Sequence, residues 1–180
     1  MAVVTLDEAK AYLNISSTST TSDAELGEFI DRAVAAIAAR CGPLEATEKT
    51  SRVRGGWSAL ALPVRPVVSL TSITPLGEAA LTVDDYLVTE GGIVEPEAGG
   101  WFGSRWYDVV YQAGRATVPD DLRLGVLEML RHLWDTQRAG GSRRVGSGSS
   151  DSTANTIPGA AYLFPFRVEQ LIAPHVQVGI

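Results

Sequence analysis

Two histidines, one cysteine and two adjacent aspartate pairs are the residues of this sequence best suited to chemistry, and their spacing supplies little of it. Nucleophilic catalysis needs a base beside a Ser or Cys and a third group to orient that base. His132 stands one helical turn after Glu128, where a solvated i,i+4 pair accounts for it, and His175 simply follows Pro174. Asp84-Asp85 and Asp120-Asp121 could ligate a hard cation, but no His or third acid recurs at ligand spacing. Both pairs precede elements where acids serve as caps. Gly99-Gly100 and Gly140-Gly141 lack the strand before and helix after that a phosphate-binding loop needs. The lone Cys41 excludes an internal disulfide framework and a multi-cysteine zinc site, and fits a reducing compartment. No catalytic residue, cofactor or metal is expected, and the chain reads as a non-enzyme.

Charge narrows the partners. The 180 residues carry 15 basic and 21 acidic side chains, a net −6, which disfavours a hold on nucleic acid across the whole surface. Residues 1–137 carry 11 bases and 19 acids, whereas residues 138–180 carry 4 and 2. A weakly basic tail therefore hangs on an acidic body, and Arg138, Arg143 and Arg144 are its densest cluster. A basic tether suits an acidic protein partner. No aromatics interleave with these arginines as a single-strand stacking platform would require. No apolar run reaches the length of a membrane span, and the first residues do not pattern as a secretion signal.

The elements follow from periodicity. Thr5 with Glu8, and Ser22 with Glu25, are capping-box patterns that start helices over about 5–14 and 22–41. Leu26, Phe29, Ile30, Ala33, Val34, Ile37 and Ala38 make one apolar stripe in the second, which stops at Cys41-Gly42-Pro43. From about 45 to 114 the period shortens toward 2. Strands are expected at 67–74, 86–89, 93–95 and 106–113, in an antiparallel sheet with a hairpin at Glu90-Gly91-Gly92. On the last strand Tyr107, Val109 and Tyr111 share one face. Pro119-Asp120-Asp121 opens a third helix to about 137, whose apolar arc (Leu122, Val126, Leu127, Met129, Leu130, Leu133, Trp134) is wide enough to be buried on more than one side. Leu124 lies on its polar arc with Glu128, Arg131 and Asp135, and is a candidate for contact with another copy, a lone exposed Leu being the alternative. Arg131 and Trp134 are grouped with Leu124 in that expected subunit contact.

The chain thus divides into a body over 1–137, a Gly/Ser/Arg linker over 138–156 that cannot build a core, and an apolar segment over 157–180. Tyr162, Phe164 and Phe166 alternate as in an extended strand, and Val168, Leu171 and Ile172 fall on one helical stripe after Pro165. So greasy a segment, too short to fold alone, must dock somewhere. A separate polypeptide is the expected dock, its own domain the alternative. The expected contact residues are Arg143, Arg144, Tyr162, Leu163, Phe164, Phe166, Arg167, Val168, Leu171 and Ile172, on a body expected to fold without them.

Three stretches, Thr5 to Asn14, Asp23 to Gly42 and Leu62-Pro-Val-Arg-Pro-Val-Val-Ser-Leu-Thr-Ser-Ile73, resemble the head-to-tail connector (adaptor, or head-completion) proteins of long-tailed bacteriophages. So do Asp85-Tyr86, Gly92-Ile-Val-Glu95, Val118-Pro-Asp-Asp-Leu-Arg-Leu124 and His132-Leu-Trp134. The resemblance spans about residues 3–137 in order. It implies an α+β fold, a small helical bundle with an antiparallel β insertion. It also implies a homo-oligomeric ring of about twelve copies beneath the portal protein. That ring would extend the DNA channel and dock a stopper or tail-completion protein. DNA would pass without specific binding, along an acidic lumen. A DNA-binding module in packaging or regulation is the alternative, and would show affinity falling steeply with salt.

Overall fold

The structure is a computed structural model and describes residues 2–138 and 164–177. Its order is α1 (Leu6–Tyr12), α2 (Asp23–Cys41), β1 (Thr47–Arg54), β2 (Leu60–Ala61), β3 (Val67–Pro75), β4 (Tyr86–Val88), β5 (Ile93–Pro96), β6 (Trp106–Ala113), α3 (Asp120–Arg138) and α4 (Phe166–Ile172). Helices and antiparallel sheets make this an α+β protein. Two compact units emerge: a β unit, residues 38–118 with Val176 and Gln177, and a helical unit, residues 2–37 with the described part of 119–175.

In the helical unit the Thr5–Glu8 capping box forms: the Glu8 N–H donates to the Thr5 hydroxyl, and the Thr5 N–H donates to Glu8 Oε2 at 2.9 Å. Lys10, almost fully buried, reaches Asp23 Oδ1 at 2.6 Å and ties α1 to the start of α2. The α2 stripe buries Leu26, Phe29, Ala33 and Ile37, and α3 buries Leu122, Val126, Met129, Leu130 and Leu133. Phe29 meets Trp134 edge-to-face at 5.6 Å. The wide arc of α3 has a second tenant, α4, which buries Val168 and Ile172. Gly125 lies at this contact, where a Cβ would meet Ile172 at 3.4 Å and Ile37 at 3.6 Å, ordinary van der Waals distances.

The β unit has two three-stranded antiparallel sheets, ordered β1-β6-β3 and β2-β5-β4. They share a core of Leu60, Leu62, Val67, Ile73, Val94, Phe102, Tyr107, Val109, Tyr111 and Ala113. The alternation of β6 puts Tyr107, Val109, Tyr111 and Ala113 inside. β4 and β5 are joined by the expected hairpin, where Gly92 takes φ 77° and its N–H donates to the Thr89 carbonyl at 2.9 Å. β1 carries no apolar alternation and escapes a reading by periodicity. Its residues Thr-Glu-Lys-Thr-Ser-Arg-Val-Arg are held by their backbone ladder to β6 and by a fork from Arg52 to Asp108, at 2.7 and 2.9 Å.

Candidate assembly surfaces

The C-terminal segment departs from expectation first. Arg143, Arg144, Tyr162 and Leu163 lie outside the described residues, and Phe164 is half-buried. Val168 and Ile172 sit 0% and 1% exposed against α3 of the same chain, and Leu171 is half-buried, so α4 packs its apolar face on its own chain. The reason is local: α3 is apolar on two sides, and the nearest dry surface for a seven-residue amphipathic helix is the second of them. Arg167 is likewise engaged, pairing with Glu128 at 3.1 Å, and Glu128 also accepts the Tyr12 hydroxyl. Burial and that carboxylate raise the Tyr12 pKa above its ordinary value. The expected Glu128–His132 pair is absent, and His132 Nε2 is buried with no hydrogen-bond partner.

Past α4, His175 Nε2 meets Asp121 Oδ2 at 2.7 Å, and the Leu122 N–H donates to Asp121 Oδ1 at 2.8 Å. Burial pushes the Asp121 carboxyl up, but those two bonds outweigh it and hold the group below the usual carboxylate range. Gln177 then joins the β unit. Its N–H donates to the Arg40 carbonyl at 3.0 Å, and its side-chain amide to the carbonyls of Cys41 (3.1 Å) and Arg65. What α4 leaves outward is Phe166, 73% exposed.

Of the residues expected at a subunit contact, Arg131 is exposed and pairs loosely with Asp135 at 3.8 Å, while Trp134 is half-buried on Phe29. Leu124 does not stand alone on a polar arc. With Ala11, Tyr12 and Leu127 it floors a shallow groove of about 400 Å³ between α1 and α3, edged by Glu8, Asp120 and Arg123. The Thr5 N–H and hydroxyl and the Arg123 guanidinium all point at Glu8 and hold its pKa below the ordinary value, the Thr5 backbone bond most of all.

The largest exposed apolar side chains lie elsewhere, in the β unit. Trp57 is 70% exposed and Trp101 77%, and Trp106 and Leu76 are also open to solvent. Their mounting is rigid. Gly55 and Gly56 donate to the carbonyls of Arg105 (2.8 Å) and Phe102 (2.9 Å), and the Phe102 N–H returns to the Trp57 carbonyl at 2.9 Å. Phe102 is buried, stacked on Tyr86 at 5.5 Å and edge-on to Tyr107 at 5.4 Å. A Cβ on Gly55 would collide with the Gly103 carbonyl and the Tyr107 ring, and Gly56 adopts φ 111°. The Leu76 backbone is set beside that of Trp106, its N–H donating to the Trp106 carbonyl at 2.9 Å. Sequence reasoning missed this tip, although one signal was available: Gly-Gly-Trp occurs twice, at 55–57 and 99–101.

Among the described residues no three His, Cys, Asp or Glu side chains converge as metal ligands, and no helix is long and apolar enough to cross a membrane. What the described residues provide is exposed apolar side chains on one unit and a shallow apolar groove on the other.

No curated protein matches the sequence. Solved structures do match the fold. A chain from the neck of an empty gene transfer agent particle, computed with C6 symmetry, aligns with TM-score 0.64 and 18% identity, over 99% of this chain and 91% of that one. One from the virion of a native gene transfer agent particle gives 0.63 and 20% over the same shares. One from the neck of a native particle, computed with C12 symmetry, gives 0.57 and 17%, over 97% and 91%. At these identities the likeness is one of fold. The sequence itself matches the head completion protein family across residues 2–178, nearly its whole length, and the chain belongs to that family.

Proposed function

We propose that this chain is a structural head-to-tail connector that closes into a ring in the neck of a phage-type particle. There it extends the DNA channel below the portal and presents a docking surface to a stopper or tail-completion protein. The observation that carries the reading is the family match over residues 2–178. The necks with C6 and C12 symmetry, whose chains share this fold, support a cyclic assembly. An acidic chain suits a channel wall, because like charge lets a polyanion slide without capture. The role is mechanical rather than catalytic, and DNA passes without a sequence-specific grip. On the portal side the exposed Phe166, with Arg143, Arg144, Tyr162 and Leu163, is the contact we propose.

Electron microscopy of particles made without this protein tests the reading. DNA-filled heads that lack tails and lose their DNA are expected, and adding back the wild-type chain should restore tailed particles with a ring in the neck. Normal tailed particles in its absence would remove the proposal.

A further inference from the structure

A cyclic ring of more than two copies joins unlike patches, so each subunit must carry both halves of one heterologous contact. Two apolar patches of opposite shape stand on the described surface. One is the tryptophan tip of the β unit, Trp57 and Trp101 on their glycine mounts. The other is the groove of about 400 Å³ floored by Ala11, Tyr12, Leu124 and Leu127. We propose that the tryptophan tip of one copy seats in the α1–α3 groove of the next.

Charge supports the match. Arg54, exposed at the end of β1 beside Trp106, has no acidic partner among the described residues, and Asp120 at the groove edge has no cationic one. Their signs are opposite, and each flanks its apolar patch. Shape supports it too. The tip is held by backbone bonds on a buried Phe102, so ordering its loops on contact costs little entropy. Tryptophans entering a groove rimmed by polar groups form the kind of centre that dominates an interface, and the rim carboxylates can accept the indole N–H. The inference rests on the ring reading and supplies the contact that closes it.

The test uses the full chain, with the buried Cys41 left in place. Trp57→Cys and Leu124→Cys chains are mixed and oxidised, alone and as necks isolated from particles. Disulfide-linked dimers are expected from the mixture and not from either variant by itself, and the double variant should give a ladder of higher species. Trp101→Cys with Leu127→Cys is an independent pair if the first variant melts early. Arg54→Glu should cut ring yield at least about tenfold, and adding Asp120→Arg should restore it. Rings that form normally with Trp57→Ala and Arg54→Glu, or intact rings that give no cross-link, overturn this contact while leaving the ring reading standing. A wild-type chain that forms no ring, by itself or in necks, takes both down.

Discussion

The C-terminal segment and the tryptophan tip carry the same kind of side chain and dispose of it in opposite ways. Val168 and Ile172, four apart on a short helix, present a face that a neighbouring helix can cover, and α3 covers it. Trp57 and Trp101 sit in turns beside paired glycines, where no periodicity offers a face, and the backbone holds them out. Hydrophobicity alone therefore does not mark a sticky surface. What decides is whether the local backbone can lay the residue against its own chain.

The largest expected effect tests the inward half of that contrast. A chain ending after residue 138 loses Val168, Ile172 and Gln177 together, and exposes the second face of α3. Calorimetry should show loss of cooperative unfolding or a melting point lower by tens of degrees, as the loss of two buried side chains and a helix cap implies. Unchanged melting would mean the segment docks without contributing. Within α4 the contrast sharpens to two substitutions: Ile172→Ala should cost about 2–5 kcal/mol in denaturant titration, whereas Phe166→Ala should stay within about 0.5 kcal/mol.

Next comes the outward half. Gly55→Ala should destabilise the β unit by about 1–3 kcal/mol, because the added methyl meets the Gly103 carbonyl and the Tyr107 ring. Trp101→Ala should leave the melting point almost unchanged while reducing ring yield; a large fall in stability would show that the indole packs on its own fold.

The smallest effect is acidification of the helical unit. Glu8 and Asp121 have folded pKa values below their unfolded ones, so their stabilisation is full above the ordinary carboxylate range and is lost as pH falls through the depressed values. Melting points measured from about pH 6 down to pH 3 should decline. Asp121→Asn should make that decline shallower, and a slope equal to that of wild type would count against the His175–Asp121 contact.

Much of the framework was legible in the sequence because it rests on local rules. The Thr5–Glu8 box, the α2 stripe ending before Gly42, the Gly92 hairpin and the alternation of β6 are short-range patterns with short-range causes. β1 was not legible, since eight mostly polar residues become a strand only by pairing with β6, some sixty positions away. The tip was hidden for a related reason: Gly-Gly-Trp reads as a turn, and only the bonds between 55–57 and 102–105 show that two such turns are welded together. The wide arc of α3 did announce a second tenant. That tenant is α4 of the same chain, and no pattern local to α3 says from which molecule the covering helix comes.

Gln177 carries a last consequence. The final carbonyls of α2 belong to a helix completed early in synthesis, yet the Cys41 carbonyl takes donors from Arg115 and from Gln177, the latter 136 positions after Cys41, and the Arg40 carbonyl takes its donor from Gln177. A nascent chain on the ribosome thus leaves the Arg40 carbonyl without this donor until residue 177 has emerged. Subunits broken off before residue 177 would lack the closing clasp, which biases the pool available for building particles toward chains that carry it.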